Sequence, residues 1–476
     1  MASKYNNPHP IKNTHITMKT TYVQYILAIL LMAATAQLPA QTLHSAYFLE
    51  SMVQRNELNP AFGAESNYIV VPVIGGSQIG IHSNVGMGNF FFQRGDKLVN
   101  GLSPQVTANE FLSGLPTNSQ LELSVEIPLV SVGFHAWGGF NTVILKERSF
   151  IAANMPSTLF EFLKQGQNAQ GVAQYDIDNL SLYTDHYIEL AFGHQRELPA
   201  LEGFSYGAKV KLLVGALGGS IDMEHIGINL SQERWYITSK GSAQLSSGMH
   251  FVYNENGDIS NIAFGSYQLG GFGLGFDLGA AYTPQALPGL TVSLALTDIG
   301  FISWSDMERA VAGGTFEYTG FDNIGAPGQP EASEQLDGLL NDMAQVINVT
   351  PTTPATVTNS LRTTLNIGAE YAILGRKISF GILSSTRFGH PYTYAEGMAV
   401  VNFRPLSWLH LAINGSASTV GEALGALINI CPKGVNIFAG CDYISPTTKF
   451  GAQGIPVNGA NFNFRAGFAF TFGHRK

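Results

Sequence analysis

Residues 81–86 read Ile-His-Ser-Asn-Val-Gly, an imidazole beside a hydroxyl, which are the residue types of a nucleophilic site. On a β-strand, successive side chains point to opposite faces, so adjacent His82 and Ser83 do not present base and nucleophile to one substrate. His186 and His194 share a parity, but eight residues of strand hold them roughly 26 Å apart, too far to share a metal. Gly270, Gly271, Gly273 and Gly275 precede no helical pattern, so no helix N-terminus is offered to a phosphate. A turn around Lys433-Gly434 pairs Cys431 with about Asn436 rather than with Cys441, which predicts two unbridged thiols, and neither zinc nor redox spacing is present. The residues therefore predict no catalytic site, no metal and no cofactor. What remains is a set of isolated charges on otherwise uncharged segments: Lys209, Lys211, Asp277, Arg362, Glu370, Arg387, Arg404 and Arg465. Such charges need partners or water. Either they form a network that holds a plug, or some of them line a solute path.

The elements that carry these charges alternate with period two. In residues 271–282, Phe272, Leu274, Phe276 and Leu278 oppose Gly271, Gly273, Gly275 and Asp277. Residues 206–215, 290–297 and 361–373 repeat the pattern, and the chain ends on Phe462, Phe464, Phe468, Phe470 and Phe472 opposite Asn461, Asn463 and Arg465. Segments of about ten residues match a tilted strand crossing a bilayer. One face is almost free of charge and suits lipid; the other, of Gly, Ser, Thr, Asn and sparse charge, suits a lumen. Charged residues make up 12% of the chain, too few for an ordinary soluble surface, and a net charge of −9 without a basic cluster excludes nucleic-acid binding. The fold predicted is all-β, a transmembrane antiparallel β-barrel of roughly 14–16 strands with a short N-terminal helix or plug.

Residues 22–41 combine an apolar stretch from Ile26 to Ala34 with a preceding Lys19 and a small-residue exit, the pattern of a cleaved secretory signal. Residues 1–40 are assigned to that signal, with Met18 the expected start, and residues 41–476 to one barrel domain. Residues 44–56 read as its N-terminal helix, with Ser45 as N-cap, and residues 157–166 as a helix in a loop, capped by Ser157. Leu336, Leu339, Leu340, Met343 and Ile347 form an apolar helical stripe in another loop. Connections alternate between long ones (near 154–179, 247–269, 304–360, 389–393 and 443–460) and short ones (near 197–202, 284–289, 374–377, 405–407 and 432–434), the asymmetry of outer-membrane barrels. Trp137, Trp235, Trp304, Tyr282 and Tyr443 lie near predicted strand ends, where interfacial anchors sit, whereas Trp408 falls on the polar parity.

The stretch Ser45–Phe62, ending in Asn59-Pro60-Ala61-Phe62 before the first strand, resembles a family of uncharacterised outer-membrane barrels related to the PorP/SprF-type membrane proteins of type IX secretion. Residues 128–134 and the helix after Met155 carry the same likeness, which is shared more distantly with the long-chain fatty-acid transporter barrels. The resemblance implies the bacterial outer membrane, a plugged barrel, the lipid and barrel-assembly machinery as partners, and no catalytic residues. The function expected is a conduit for a hydrophobic or small solute. The alternative is a scaffold that binds proteins of a secretion or surface-assembly system.

Overall fold

The structure, a computed structural model, describes residues 43–95, 97–166, 173–231, 234–246, 248–253, 259–264, 269–318, 350–445 and 461–474. The expected signal segment and the Leu336–Ile347 stripe lie outside the described residues. In chain order the strands begin with β1 (Ser66–Val70), β2 (Gln78–Ser83), β3 (Phe91–Arg94), β4 (Lys97–Asn100), β5 (Asn118–Ala136), β6 (Gly139–Pro156) and β7 (Ala173–Glu197). They continue with β8 (Phe204–Leu230), β9 (Trp235–Leu245), β10 (Met249–Tyr253), β11 (Ile259–Phe264), β12 (Gly271–Tyr282), β13 (Leu290–Tyr318) and β14 (Thr350–Ser360). The last are β15 (Thr364–Ile373), β16 (Ile378–Arg387), β17 (Tyr394–Leu406), β18 (Leu409–Ser418), β19 (Gly421–Ile430), β20 (Val435–Ile444) and β21 (Asn461–His474).

All main-sheet pairings are antiparallel, and β21 closes the sheet on β1 and β2, which together make one interrupted strand also paired with β5. Around the rim with tight turns the circuit is β1, β5, β6, β7, β8, β12, β13, β15 to β21, a closed barrel of 14 strands. Closure leaves no sheet edge within it. Among the described residues no helix is long and apolar enough to cross a membrane. The terminal phenylalanine stripe points outward, with Phe462, Phe464, Phe470 and Phe472 exposed, while Asn461, Asn463 and Arg465 are buried inside.

On the long-loop side the expected loop near 304–360 is partly strand, because β13 continues to Tyr318 on β9 and β14 pairs back on β13. β7, β8 and β13 run for 25, 27 and 29 residues, more than twice the roughly 9–11 a bilayer requires. Their ends form a projecting sheet with its own core of Ile177, Met223, Ile228, Ile237 and neighbours. Leu159 and Phe162 of helix α1 (Ser157–Gln165) pack on that core. Pro156 rather than Ser157 occupies the N-cap of α1. Among the described residues β14 pairs with β13 alone, an edge position that accommodates Pro354.

The segment from Leu43 to Phe62 fills the barrel, and in place of one helix over 44–56 it forms two 3₁₀ turns, His44–Phe48 and Val53–Glu57. The wall takes up the backbone groups that an α-helix would pair internally. Asp442 accepts the Ser45 amide (3.0 Å), Arg404 donates to the Phe48 carbonyl (3.2 Å), and Asn436 donates to the Ser51 carbonyl (2.9 Å). Ser45 is thus a ligand of Asp442 and does not cap. Inward glycines admit this plug: a Cβ on Gly207 would lie 2.0 Å from the Pro60 carbonyl oxygen, and one on Gly279 2.1 Å from Asn59 Oδ1. Trp304 and Tyr443 are buried inside rather than at a lipid interface, whereas Trp137 is fully on the surface at the β5–β6 turn. Cys431 and Cys441 are half-buried free thiols.

Candidate functional site

The eight charges singled out from the sequence all lie inside the barrel, where three groups of side chains receive them. Nearest the tight-turn rim, Glu370 meets Arg376 (3.5 Å) and Arg404 (3.7 Å), and Arg376 also holds the plug's Glu50 (2.5 Å). In the middle, Lys211 contacts Asp277 (2.7 Å) and Asp298 (2.6 Å), and Arg148 grips Asp298 with both terminal nitrogens (2.8 and 3.1 Å). Arg465 and Lys146 converge on the plug's Glu57 (2.8 and 3.0 Å), and Lys146 bridges on to Glu126 (2.9 Å). Lys209 donates to the Asn56 side-chain oxygen (3.2 Å). Towards the long-loop side, Arg362 and Arg387 both land on one oxygen of Glu122 (2.8 and 2.7 Å).

Burial opposes ionisation of Glu57, but the cations Arg465, Lys146 and Lys209 outweigh it and hold this carboxyl well below its ordinary range. Burial likewise disfavours the His44 imidazolium, yet Glu396, at 3.0 Å, together with Asp442 raises its pKa above the usual value against the opposing Arg387. Tyr394 and Tyr443 complete this clasp by donating to Glu396. Asn59 of the expected motif is fully buried. It donates to the Tyr47 hydroxyl (3.0 Å) and accepts the Ala61 amide (2.9 Å), fixing the turn that leads from plug to wall. Pro60 passes over Gly207, while Ala61 and Phe62 pack in the plug core.

Several members of the site were not named from the sequence: His44, Glu57, Glu122, Glu126, Lys146, Arg148, Asp185, Asp298 and Glu396. Strand β5 shifts register between Pro128 and Val130, which breaks its alternation, and β6 turns Phe140, Ile144 and Phe150 inward beside Lys146 and Arg148. The contrast between faces is lost on both. Asp298 reaches the lumen through a bulge against Asp277 with φ of 57°, a conformation that Asp tolerates better than most residues. Only the left-handed tolerance of Asp could have hinted at it.

Above the plug these side chains enclose a cavity of about 100 Å³, lined by Glu57, Glu126, Lys146, Arg148, Asp185, Lys211, Asp298, Arg362 and Arg387 among others. His82 packs edge-on against Tyr394 and Tyr443, and Ser83 donates to the Val85 carbonyl (2.7 Å), so they form no dyad. His194 binds Asn141 (2.9 Å), and His186 binds Glu147 (3.2 Å). Among the described residues no three His, Cys, Asp or Glu side chains are placed to hold a metal ion.

Apolar outer face, closed antiparallel wall and charge-filled interior define a β-barrel of the outer-membrane type. The chain belongs to DUF5723, a family of unknown function, whose profile spans residues 60–442. In fold it is similar to the crystal structure of the toluene transporter TbuX of Ralstonia pickettii, at 9% identity and a TM-score of 0.38 over 90% of this chain and 100% of that one. It is also similar to the toluene transporter TodX of Pseudomonas putida, at 9% identity and a TM-score of 0.38 over 92% and 96%. A third likeness is to the β domain of the Bordetella autotransporter BrkA, at 11% identity and a TM-score of 0.25 over 84% and 100%. No curated protein matches the chain.

Proposed function

We propose that this barrel is a gated outer-membrane conduit whose N-terminal plug must shift before solute passes. The observation that supports this most directly is the cavity of about 100 Å³ above a plug that is held by side-chain contacts and is no part of the sheet. Its charged lining favours a small polar solute over a hydrophobic one. Glu57 is the central latch, with contacts to both β6 and β21 through Lys146 and Arg465.

Planar-bilayer conductance and liposome uptake test this reading. Glu57→Gln leaves buried cations short of a partner and weakens plug docking by on the order of 3 kcal/mol. The expected result is low, rarely open conductance in the parent and a several-fold higher open probability in the variant. If both are equally impermeable while remaining heat-modifiable on gels, the conduit reading fails.

The second reading, a scaffold of the kind implied by the resemblance to membrane proteins of type IX secretion, draws support from the projecting ends of β7, β8, β9 and β13, which carry a core of their own. Co-purification of a stoichiometric surface partner from an impermeable barrel would favour it.

A further inference from the structure

Arg55, on the plug's second 3₁₀ turn, carries a charge that no other described residue meets by ion pair or side-chain hydrogen bond. Its guanidinium lies over the Phe62 ring, 4.0 Å from the centroid, which holds the group against the plug core. Nε is buried without an acceptor. The residue stays partly exposed, and its terminal nitrogens, unlike Nε, are not closed off. The charges that act on it belong to the group nearest the tight-turn rim: Glu50, Glu370 and Arg404. Both carboxylates are already engaged, since Arg376 holds Glu50 (2.5 Å) while Arg376 and Arg404 share Glu370 (3.5 and 3.7 Å). With Arg55, the group therefore holds three guanidinium ions against two carboxylates. Burial outweighs the attraction of Glu50 and Glu370 and keeps Arg55 below its ordinary pKa, as expected of a cation short of a counter-charge. The side chains of Glu50 and Arg376 are 36% and 35% exposed, so the group opens towards the rim.

We propose that Arg55 receives a small oxyanion, a carboxylate or phosphate, that enters from the tight-turn rim. A partly desolvated guanidinium without a partner is unfavourable, and an incoming oxyanion relieves it. The terminal nitrogens present donors in one plane, which two oxygens of a single anion accept together and a spherical halide does not. Arg55 and the Glu57 latch share the turn Val53–Glu57, so an anion on Arg55 tightens the turn that the latch holds. The anion therefore favours the docked plug over a displaced one and acts as a closing effector. Only that last role rests on the conduit reading, since binding is measured independently of passage.

Isothermal titration of the refolded full-length barrel in detergent, with acetate, phosphate and chloride as separate probes at constant ionic strength, tests the assignment. At least one oxyanion is expected to bind saturably with a dissociation constant on the order of 1 mM, and chloride about tenfold more weakly. The tighter of acetate and phosphate identifies the group that the site takes. Hydrogen exchange across residues 53–57 supplies a second readout. In the parent, that anion at about ten times its dissociation constant should raise protection about tenfold, because it binds the docked plug alone. Arg55→Gln gives up no ion pair or side-chain hydrogen bond among the described residues and is expected to fold. Without anion its plug should be protected at least as well as the parent's, and added anion should change nothing. Arg55→Lys, which keeps the charge but not the planar fork, should bind severalfold more weakly. Absence of oxyanion binding to the folded parent overturns the proposal, as does chloride binding as tightly, or an affinity indifferent to Arg55→Gln. Plug protection lost in anion-free Arg55→Gln would make Arg55 a structural residue and overturn it too. Binding to a barrel that conducts nothing with or without the anion keeps the site and removes the conduit; a conductance that bound anion leaves unchanged overturns the closing role.

Discussion

His44 links the plug to the wall through a titratable contact, and its direction of response follows from its surroundings. Glu396 and Tyr394 of β17, Asp442 and Tyr443 of β20, His82 of β2 and Arg387 of β16 face it, and attraction to the carboxylates outweighs both burial and the arginine. A histidine whose folded pKa is raised contributes stabilisation that is complete below its ordinary value of 6.5 and lost as pH rises through the raised value. The plug's first turn is therefore expected to loosen on the alkaline side. Hydrogen exchange at the Ser45 amide, which donates to neighbouring Asp442, reads this directly once the intrinsic pH dependence of exchange is divided out. In His44→Gln the loss of protection on the alkaline side should vanish, and the turn should be weaker by about 1.5–3 kcal/mol even at neutral pH, the worth of a hydrogen bond to a charged partner. Protection that rises with pH would contradict the ion pair with Glu396.

At the scale of elements, the plug and the wall are fitted to one another through absent side chains. β12 places Gly279 against Asn59, and β8 places Gly207 against the Pro60 backbone, so neither strand tolerates a Cβ while the plug stays put. Gly279→Val is expected to leave the barrel wall intact, because a β-branched residue suits a strand, and to drive out the Asn59 turn. Heat-modifiable gel mobility should persist, while protease sensitivity within residues 43–62 and open-channel conductance rise together. Persistence of a protected plug would mean that the wall yields instead. The same pair of strands shows what was readable in advance. Alternation of Phe272, Phe276 and Leu278 with Gly273, Asp277 and Gly279 identified a wall strand and its faces, because one face meets lipid and the other does not. It did not say what the inward face would meet. The inward glycines suited a crowded lumen as well as a watery one; the structure fills that space with Tyr47, Phe48 and Asn59 of the plug, through contacts so distant in sequence that they leave no periodic trace. Charges on regular strands, such as Lys209 and Arg465, were legible for the same reason as the wall. Glu126 and Asp298 were hidden by register shifts, since each shift reverses parity.

For the whole molecule, the asymmetry between the two rims fixes an orientation that can be tested on cells. Turns at residues 137–138, 198–203, 374–377 and 431–434 close one rim tightly, while the opposite side bears α1, the β3–β4 and β10–β11 hairpins and the long ends of β7, β8 and β13. A tilted strand needs only about ten residues to cross the hydrocarbon, so the surplus on those three strands must stand in water. The surface of the projecting part agrees, with Lys240 meeting Glu224 and Arg234 meeting Glu317 in solvent-exposed pairs. In an outer-membrane barrel the long side faces the exterior. After both native thiols are replaced by serine, a cysteine at Lys240 should react with a membrane-impermeant maleimide on intact cells. One at Lys433, in the tight turn between β19 and β20, should react only after the outer membrane is permeabilised. Neither substitution disturbs a buried contact, since both side chains are exposed, and each is expected to change stability by less than about 0.5 kcal/mol. Labelling at Lys433 without labelling at Lys240 would invert the barrel, and labelling at neither on permeabilised cells would remove it from the outer membrane altogether.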